Sequence, residues 1–190
     1  MNIKQLTYPN TLLISLQSAK DHLRVTDTNQ DSVIEDCIKS ATGLVEKYTG
    51  QILQSRTYCV YYDSNEIMSY CPIHIFLYPT TAVTSVKYLN DAGVETTFSE
   101  YTADITGFPT RLLLTTTPTM QLDTLNQFRV YLTAGFTDVN EIDPELIGWV
   151  KIFTAFFYQT RQPEYSGLTV HEIAYNYERA LSKYIREPIL

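Results

Sequence analysis

A chain of 190 residues with a formal net charge of -7 suits one domain, or one domain with a large insert, and is a poor candidate for gripping nucleic acid, because phosphate binding needs clustered Lys and Arg. Three cysteines without a repeated spacing, Cys37, Cys59 and Cys71, exclude a disulfide framework and favour a reducing compartment. No charged segment followed by an apolar core opens the chain and no apolar run approaches ~18 residues, so neither a signal peptide nor a membrane span is expected.

The hydrophobic period changes twice along the chain: 15–49 reads as helix, 54–135 mostly as strand and 144–186 as helix again. Ser15 is placed to cap a short first helix carrying Leu16, Ala19 and Leu23 on one face. A polar loop, 25–29, leads to a second helix, with a capping box expected from Thr28 and Asp31 or from Asp27 and Gln30. On that helix Ile34, Ile38, Ala41, Val45 and Tyr48 form a stripe, widened by Val33, Cys37 and Leu44, and Gly50 is a natural stop.

In the middle, Tyr58, Val60 and Tyr62 alternate with Thr57, Cys59 and Tyr61, and Phe128, Val130 and Leu132 alternate with Arg129, Tyr131 and Thr133. Period 2 in β-branched and aromatic residues predicts strands. Asp91-Ala92-Gly93 marks a hairpin, and Pro72, Pro79, Pro109 and Pro118 imply strands that are short or lie at edges. Asp143 and Pro144 open a third helix with Leu146, Val150, Phe153 and Phe157 in one stripe, flanked by Trp149 and Phe156 and ended by Gln162-Pro163. A last helix, starting near Thr169 and Glu172 or near Tyr175, carries Tyr177, Leu181 and Tyr184 on one face. The fold class expected is α+β: a helical core of two N-terminal and two C-terminal helices with an antiparallel β insert, divided as 1–49, 50–143 and 144–190. Of the net charge, -6 falls in 50–143, which holds 4 basic and 10 acidic side chains.

Chemistry-bearing motifs are scarce. Cys71-Pro72-Ile73-His74 has a zinc-like spacer but only Cys59 as a further ligand candidate, against the four that a structural site needs; a half-buried thiol at a strand start is the simpler reading. The acidic residues Asp138, Glu141, Asp143 and Glu145 do not follow the spacing of an EF-hand loop and read as a solvated approach to a capped helix. No nucleophile elbow, phosphate loop or dinucleotide fingerprint occurs, so no cofactor is expected and the chain reads as a non-enzyme. Fifteen tyrosines in an acidic chain fit protein–protein contacts, where a large apolar body with a polar tip is favoured.

Several segments, in this order, resemble the head–tail connector (adaptor) proteins of tailed bacteriophages. They are Ser15 to Val25 (SLQSAKDHLRV), Asp31 to Gly50 (DSVIEDCIKSATGLVEKYTG), Tyr78-Pro79 with Val83 to Leu89 and Gly93, Val130 to Phe136, the helix opened by Pro144-Glu145-Leu146 with Phe157, Tyr158 and Arg161, and the tail from Glu172 to Tyr184. Ala174 departs from the pattern, which often has proline there.

The resemblance implies a homo-oligomeric ring, usually of twelve, beneath the portal protein, joining the DNA-filled head to a downstream stopper, tail-tube or tail-nozzle protein. Assembly would take place in the host bacterial cytoplasm, with no membrane involved. Core and ring-forming roles fall on Ile34, Ile38, Val45, Tyr48, Trp149, Phe153 and Phe157, and portal docking on Tyr175, Tyr177, Leu181, Tyr184, Ile185 and Arg186. Double-stranded DNA would pass without specific binding, and Asp91, Glu95, Glu100 and Asp104 are the acids expected at the lumen or its rim, where repulsion lets phosphates slide. Two rivals stand beside this reading. One is another neck or tail completion (stopper) protein, a class that is β-rich throughout; the other is a small α+β enzyme or ligand-binding protein with a cleft.

Overall fold

The computed structural model describes residues 1–121, 124–160 and 179–186. The chain divides into two compact units. One is β-rich and takes residues 1–9 and 54–136; the other is helical and takes residues 10–53 with those described from 137 to 186.

In the helical unit, α1 (Leu16–Leu23) starts where the Ser15 hydroxyl accepts a hydrogen bond from the Ser18 amide at 3.1 Å, and ends at Arg24 in the left-handed region. Next comes α2 (Asp31–Thr49), whose expected capping box does not form: Gln30 stands at the cap position with no side-chain bond. Both candidate carboxylates are engaged elsewhere. Asp27 accepts from the Asn29 amide in a local turn, and Asp31 accepts from the nearly buried Lys20 ammonium at 2.6 Å. At its other end α2 stops at Gly50, with φ +68°. α3 (Pro144–Gln159) begins as read from sequence, with Asp143 accepting from the Glu145 amide and Pro144 in the first turn, but it ends at Gln159, ahead of Gln162-Pro163.

These helices pack on one another through Ile34, Ile38, Ala41 and Val45 of α2 and Leu146, Val150 and Phe153 of α3, each at most 1% exposed. Each large apolar side chain buried there contributes roughly 1.5–3 kcal/mol. Thr42 and Thr154 enter the same seam because their hydroxyls donate to the Ile38 and Val150 carbonyls one turn back. Tyr48 does not complete the stripe; it is half-buried, and Thr49 takes the inward position.

The β-rich unit holds β1 (Asn2–Gln5), β2 (Arg56–Tyr62), β3 (Ile73–Ile75), β4 (Thr80–Leu89), β5 (Glu95–Phe98), β6 (Tyr101–Asp104), β7 (Thr110–Leu114) and β8 (Phe128–Ala134). These form two antiparallel sheets, ordered β1-β2-β8-β4-β5 and β3-β7-β6, where sequence suggested one antiparallel insert. The expectation that the prolines confine strands to edges or short runs fails for β4, which is ten residues long and interior: Pro79 lies just ahead of it and removes no ladder donor. Two irregularities in its pairing with β8 are bridged by threonine hydroxyls, Thr81 donating to the Thr133 carbonyl and Thr84 to the Tyr131 carbonyl.

Tyr58, Val60, Tyr62, Phe128, Val130 and Leu132 supply the buried face of the larger sheet, as the alternation predicts, and Val86 of β4 joins them. Gly93 closes the β4–β5 hairpin at φ +72°, its amide donating to the Asn90 carbonyl.

Gly135, directly after β8, has φ +109°, and a Cβ there would collide with the Gln54 carbonyl. Gly135→Ala is expected to cost about 2 kcal/mol or more, because both a backbone clash and a left-handed conformation oppose it; chemical denaturation measures the loss.

Candidate functional site

The C-terminal segment lies along the helical unit as a strap. Residues 179–181 are helical and lead into a 3-10 turn, Ser182–Tyr184. Leu181 is completely buried. The Gln51 side-chain amide donates to the Tyr184 carbonyl at 2.7 Å, and the Arg186 amide donates to the Thr49 carbonyl at 2.8 Å, so the strap covers the C-terminal end of α2. At the start of α3, Glu145 accepts from Lys183 Nζ at 2.5 Å and from the Tyr184 hydroxyl at 3.1 Å.

The electrostatics follow that geometry. Lys183 holds the Glu145 carboxyl below its usual range. Burial, then hydrogen bonds to Asp143 and Glu145, push the Tyr184 phenol up to about 12.

Of the docking residues expected from sequence, Leu181, Tyr184, Ile185 and Arg186 lie in this strap, whereas Tyr175 and Tyr177 lie outside the described residues. Leu181 serves the chain's own core, and Tyr184 is half-buried with both its hydroxyl and its carbonyl in intramolecular bonds. Ile34, Ile38, Val45 and Phe153 are likewise sealed inside the helical unit, at 0%, 0%, 0% and 1% exposure, while Tyr48, Trp149 and Phe157 are half-buried and Ile152 is 43% exposed. Only this second group retains surface for a neighbour.

The four acids differ in their surroundings. Asp91 is exposed on the β4–β5 hairpin. Glu100 accepts from the Thr116 hydroxyl. Asp104 is bound by the Thr106 hydroxyl and by Arg111, which hold its carboxyl down to about 2. Glu95 receives Lys87 at 3.0 Å and Arg129 at 2.9 Å, so its immediate neighbourhood is net positive rather than negative. Sequence reasoning missed Lys87 and Arg129, since they reach Glu95 only through the register of β4 with β5 and β8.

Among the described residues no three metal-ligating side chains converge, and no helix is long and apolar enough to cross a membrane. Cys59 is completely buried and Cys71 exposed.

If Glu145 pins the strap, its contribution is present above the ordinary carboxylate range and is lost as pH falls through the depressed value, since protonation removes the ion pair. Hydrogen-exchange protection factors at amides 179–186, corrected for the slower intrinsic exchange in acid, are therefore expected to fall on acidification and, at neutral pH, in Glu145→Gln. Carbon-13 NMR of the Tyr184 ring is expected to show a phenol that stays neutral until about pH 12.

Comparison with known proteins agrees with this architecture. The whole of this chain aligns with 98% of a chain from the neck of an empty gene transfer agent particle computed with C6 symmetry (TM-score 0.77, 17% identity). The whole of it likewise aligns with 98% of a chain from the virion of a native gene transfer agent particle (TM-score 0.77, 16% identity). A chain from the neck of a native particle computed with C12 symmetry is similar over the same shares (TM-score 0.75, 19% identity). At these identities the likeness establishes the fold. No curated protein sequence matches. Residues 13–106, which take in α1, α2 and β2 to β6, match the phage gp6-like head-tail connector proteins, and the chain belongs to that family of structural connectors.

Proposed function

We propose that this protein is a structural subunit of a virion neck that closes into a homo-oligomeric ring, most simply of twelve, between the portal and the next tail-side component. The family match over residues 13–106 carries this reading. Full-length likeness to chains from necks computed with C6 and C12 symmetry supports it. In this reading 1–49 and 144–190 supply the portal contacts and the helical share of the ring contacts, and 50–143 also meets the next component or the channel. Double-stranded DNA passes through the ring, and assembly takes place in the host cytoplasm.

The ring contacts use the half-buried residues Tyr48, Trp149 and Phe157 with the exposed Ile152, because the sealed core residues have no free surface. Portal docking uses Tyr175, Tyr177, Ile185 and Arg186, with Leu181 and Tyr184 acting as the anchors that hold the strap in place.

Mixing the protein with the portal of its own particle and imaging the product by electron microscopy tests the reading. A ring seated on the portal is expected, and a persistent monomer or dimer would overturn it. Removing 185–190 leaves Leu181 and Tyr184 in place. It is expected to abolish portal binding while costing only the roughly 1 kcal/mol of the lost Arg186 amide–Thr49 bond, and retained binding would overturn the docking assignment.

Asp91 and Glu100 have no basic partner among the described ion pairs, so they are the two acids suited to repel DNA at the channel. The double variant Asp91→Lys, Glu100→Lys is expected to make assembled rings retain double-stranded DNA in a low-salt gel shift, where unaltered rings do not.

A further inference from the structure

The outward face of the five-stranded sheet differs in kind from the rest of the β-rich unit. Registers among β1, β2, β8, β4 and β5 place Lys4 opposite Cys59, Cys59 opposite Tyr131, Tyr61 opposite Arg129 and Arg129 opposite Lys87. All of these alternate with the buried residues Val60, Val130 and Val86 and so stand on the other side of the sheet. The result is a cross-strand row of Tyr61, Arg129 and Lys87 over three strands, flanked by Tyr131 and, past the fully buried Cys59, by Lys4 on the edge strand.

The row is tied together internally. Arg129 lies over the Tyr61 ring at 5.9 Å and Lys87 over the Tyr131 ring at 5.3 Å, while Glu95 accepts from Lys87, Arg129 and the Tyr131 hydroxyl. Glu95 cancels one charge, and with Lys4 exposed at the edge strand the face keeps a net charge of two positives in a segment otherwise dominated by carboxylates. Only four basic residues occur in 50–143, and two of them are placed here.

From this arrangement we propose that the outward face centred on Lys87, Arg129, Tyr61 and Tyr131 is the receiving half of a head-to-tail contact, and that it takes a carboxylate-rich surface of the next copy of this chain. The proposal rests on the ring reading given above. Charge complementarity selects the occupant: each copy carries a net -7, so every neighbour in a homo-oligomer offers carboxylates. Arginine and tyrosine held rigid by one another are the side chains that dominate protein interfaces, and they lose little freedom on binding. Nucleic acid is the poorer occupant, since a phosphate lattice would meet Glu95 at the centre of the face and too few cations around it. A basic patch on one copy that meets a different, acidic patch on the next forms a heterologous contact when each copy gives only one of the two to that neighbour, and such contacts generate a ring where the rotation closes.

Zero-length carbodiimide coupling tests this on the full chain, assembled on its portal from a mixture of nitrogen-15-labelled and unlabelled protein. Labelled-to-unlabelled cross-links from Lys4 or Lys87 to carboxylates are expected. Lys4→Glu, on an exposed edge strand where folding is not at stake, and Lys87→Gln, which leaves Arg129 on Glu95, are each expected to raise the protein concentration needed for ring formation about tenfold or more. High salt is expected to act in the same direction on the unaltered chain. If rings form but carry only cross-links within one chain, or form equally well in both variants, the face assignment is wrong while the ring reading stands. Retention of double-stranded DNA that depends on Lys87 would also overturn it. If no ring forms at all, the ring reading itself has failed.

Discussion

The packing of α2 against α3 is the constraint on which the helical unit depends. Its two faces, Ile34 to Val45 and Leu146 to Phe153, come from opposite ends of the chain, and neither helix can bury its stripe without the other. Bringing them together costs loop-closure entropy, which grows only slowly with the length of the intervening segment, so a large excursion between them is tolerated. The strap of residues 179–186 adds to this packing, with Leu181 buried and backbone bonds to the end of α2. Residues that would serve a partner if taken from sequence alone are therefore split by the structure into those that make the fold and those that remain at its surface.

Features set by local chemistry were legible in the sequence. The Ser15 and Asp143 caps, the Gly50 stop, the Gly93 hairpin and the alternation of β2 and β8 depend on neighbours a few residues away. What was not legible depends on pairing at a distance. The four residues of β1 carry no strong strand signal and become a strand only through Tyr58 to Tyr61. The capping box failed because Lys20 captured Asp31. Tyr48 was misplaced for a geometric reason: a straight helix turns every 3.6 residues, so the inward position after Ala41 and Val45 drifts from 48 to 49. Glu95 looked like one free acid among several until the sheet register placed two cations beside it.

Charge in the β-rich unit is thus not a uniform field. The excess of carboxylates is a property of the composition, but its sign at any point is decided by strand register. Across β4 and β8, two cations and two tyrosines surround one carboxylate, whereas the β4–β5 hairpin tip carries Asp91 in the open. The separation gives one β-rich unit surfaces of opposite sign.

The excursion between the helices begins and ends on neighbouring strands. Arg56 is paired with Ala134, and the Ser55 amide donates to the Phe136 carbonyl just beyond them. The two points where the chain leaves and rejoins the helical unit are consequently held side by side by the sheet's own hydrogen bonds. Such an insert behaves as a cassette: it can lengthen, shorten or be exchanged for another β module without asking the helices to move, provided that residues 1–9 travel with it as the partner of β2. The β module is thereby free to vary in length and sequence on one unchanged helical frame.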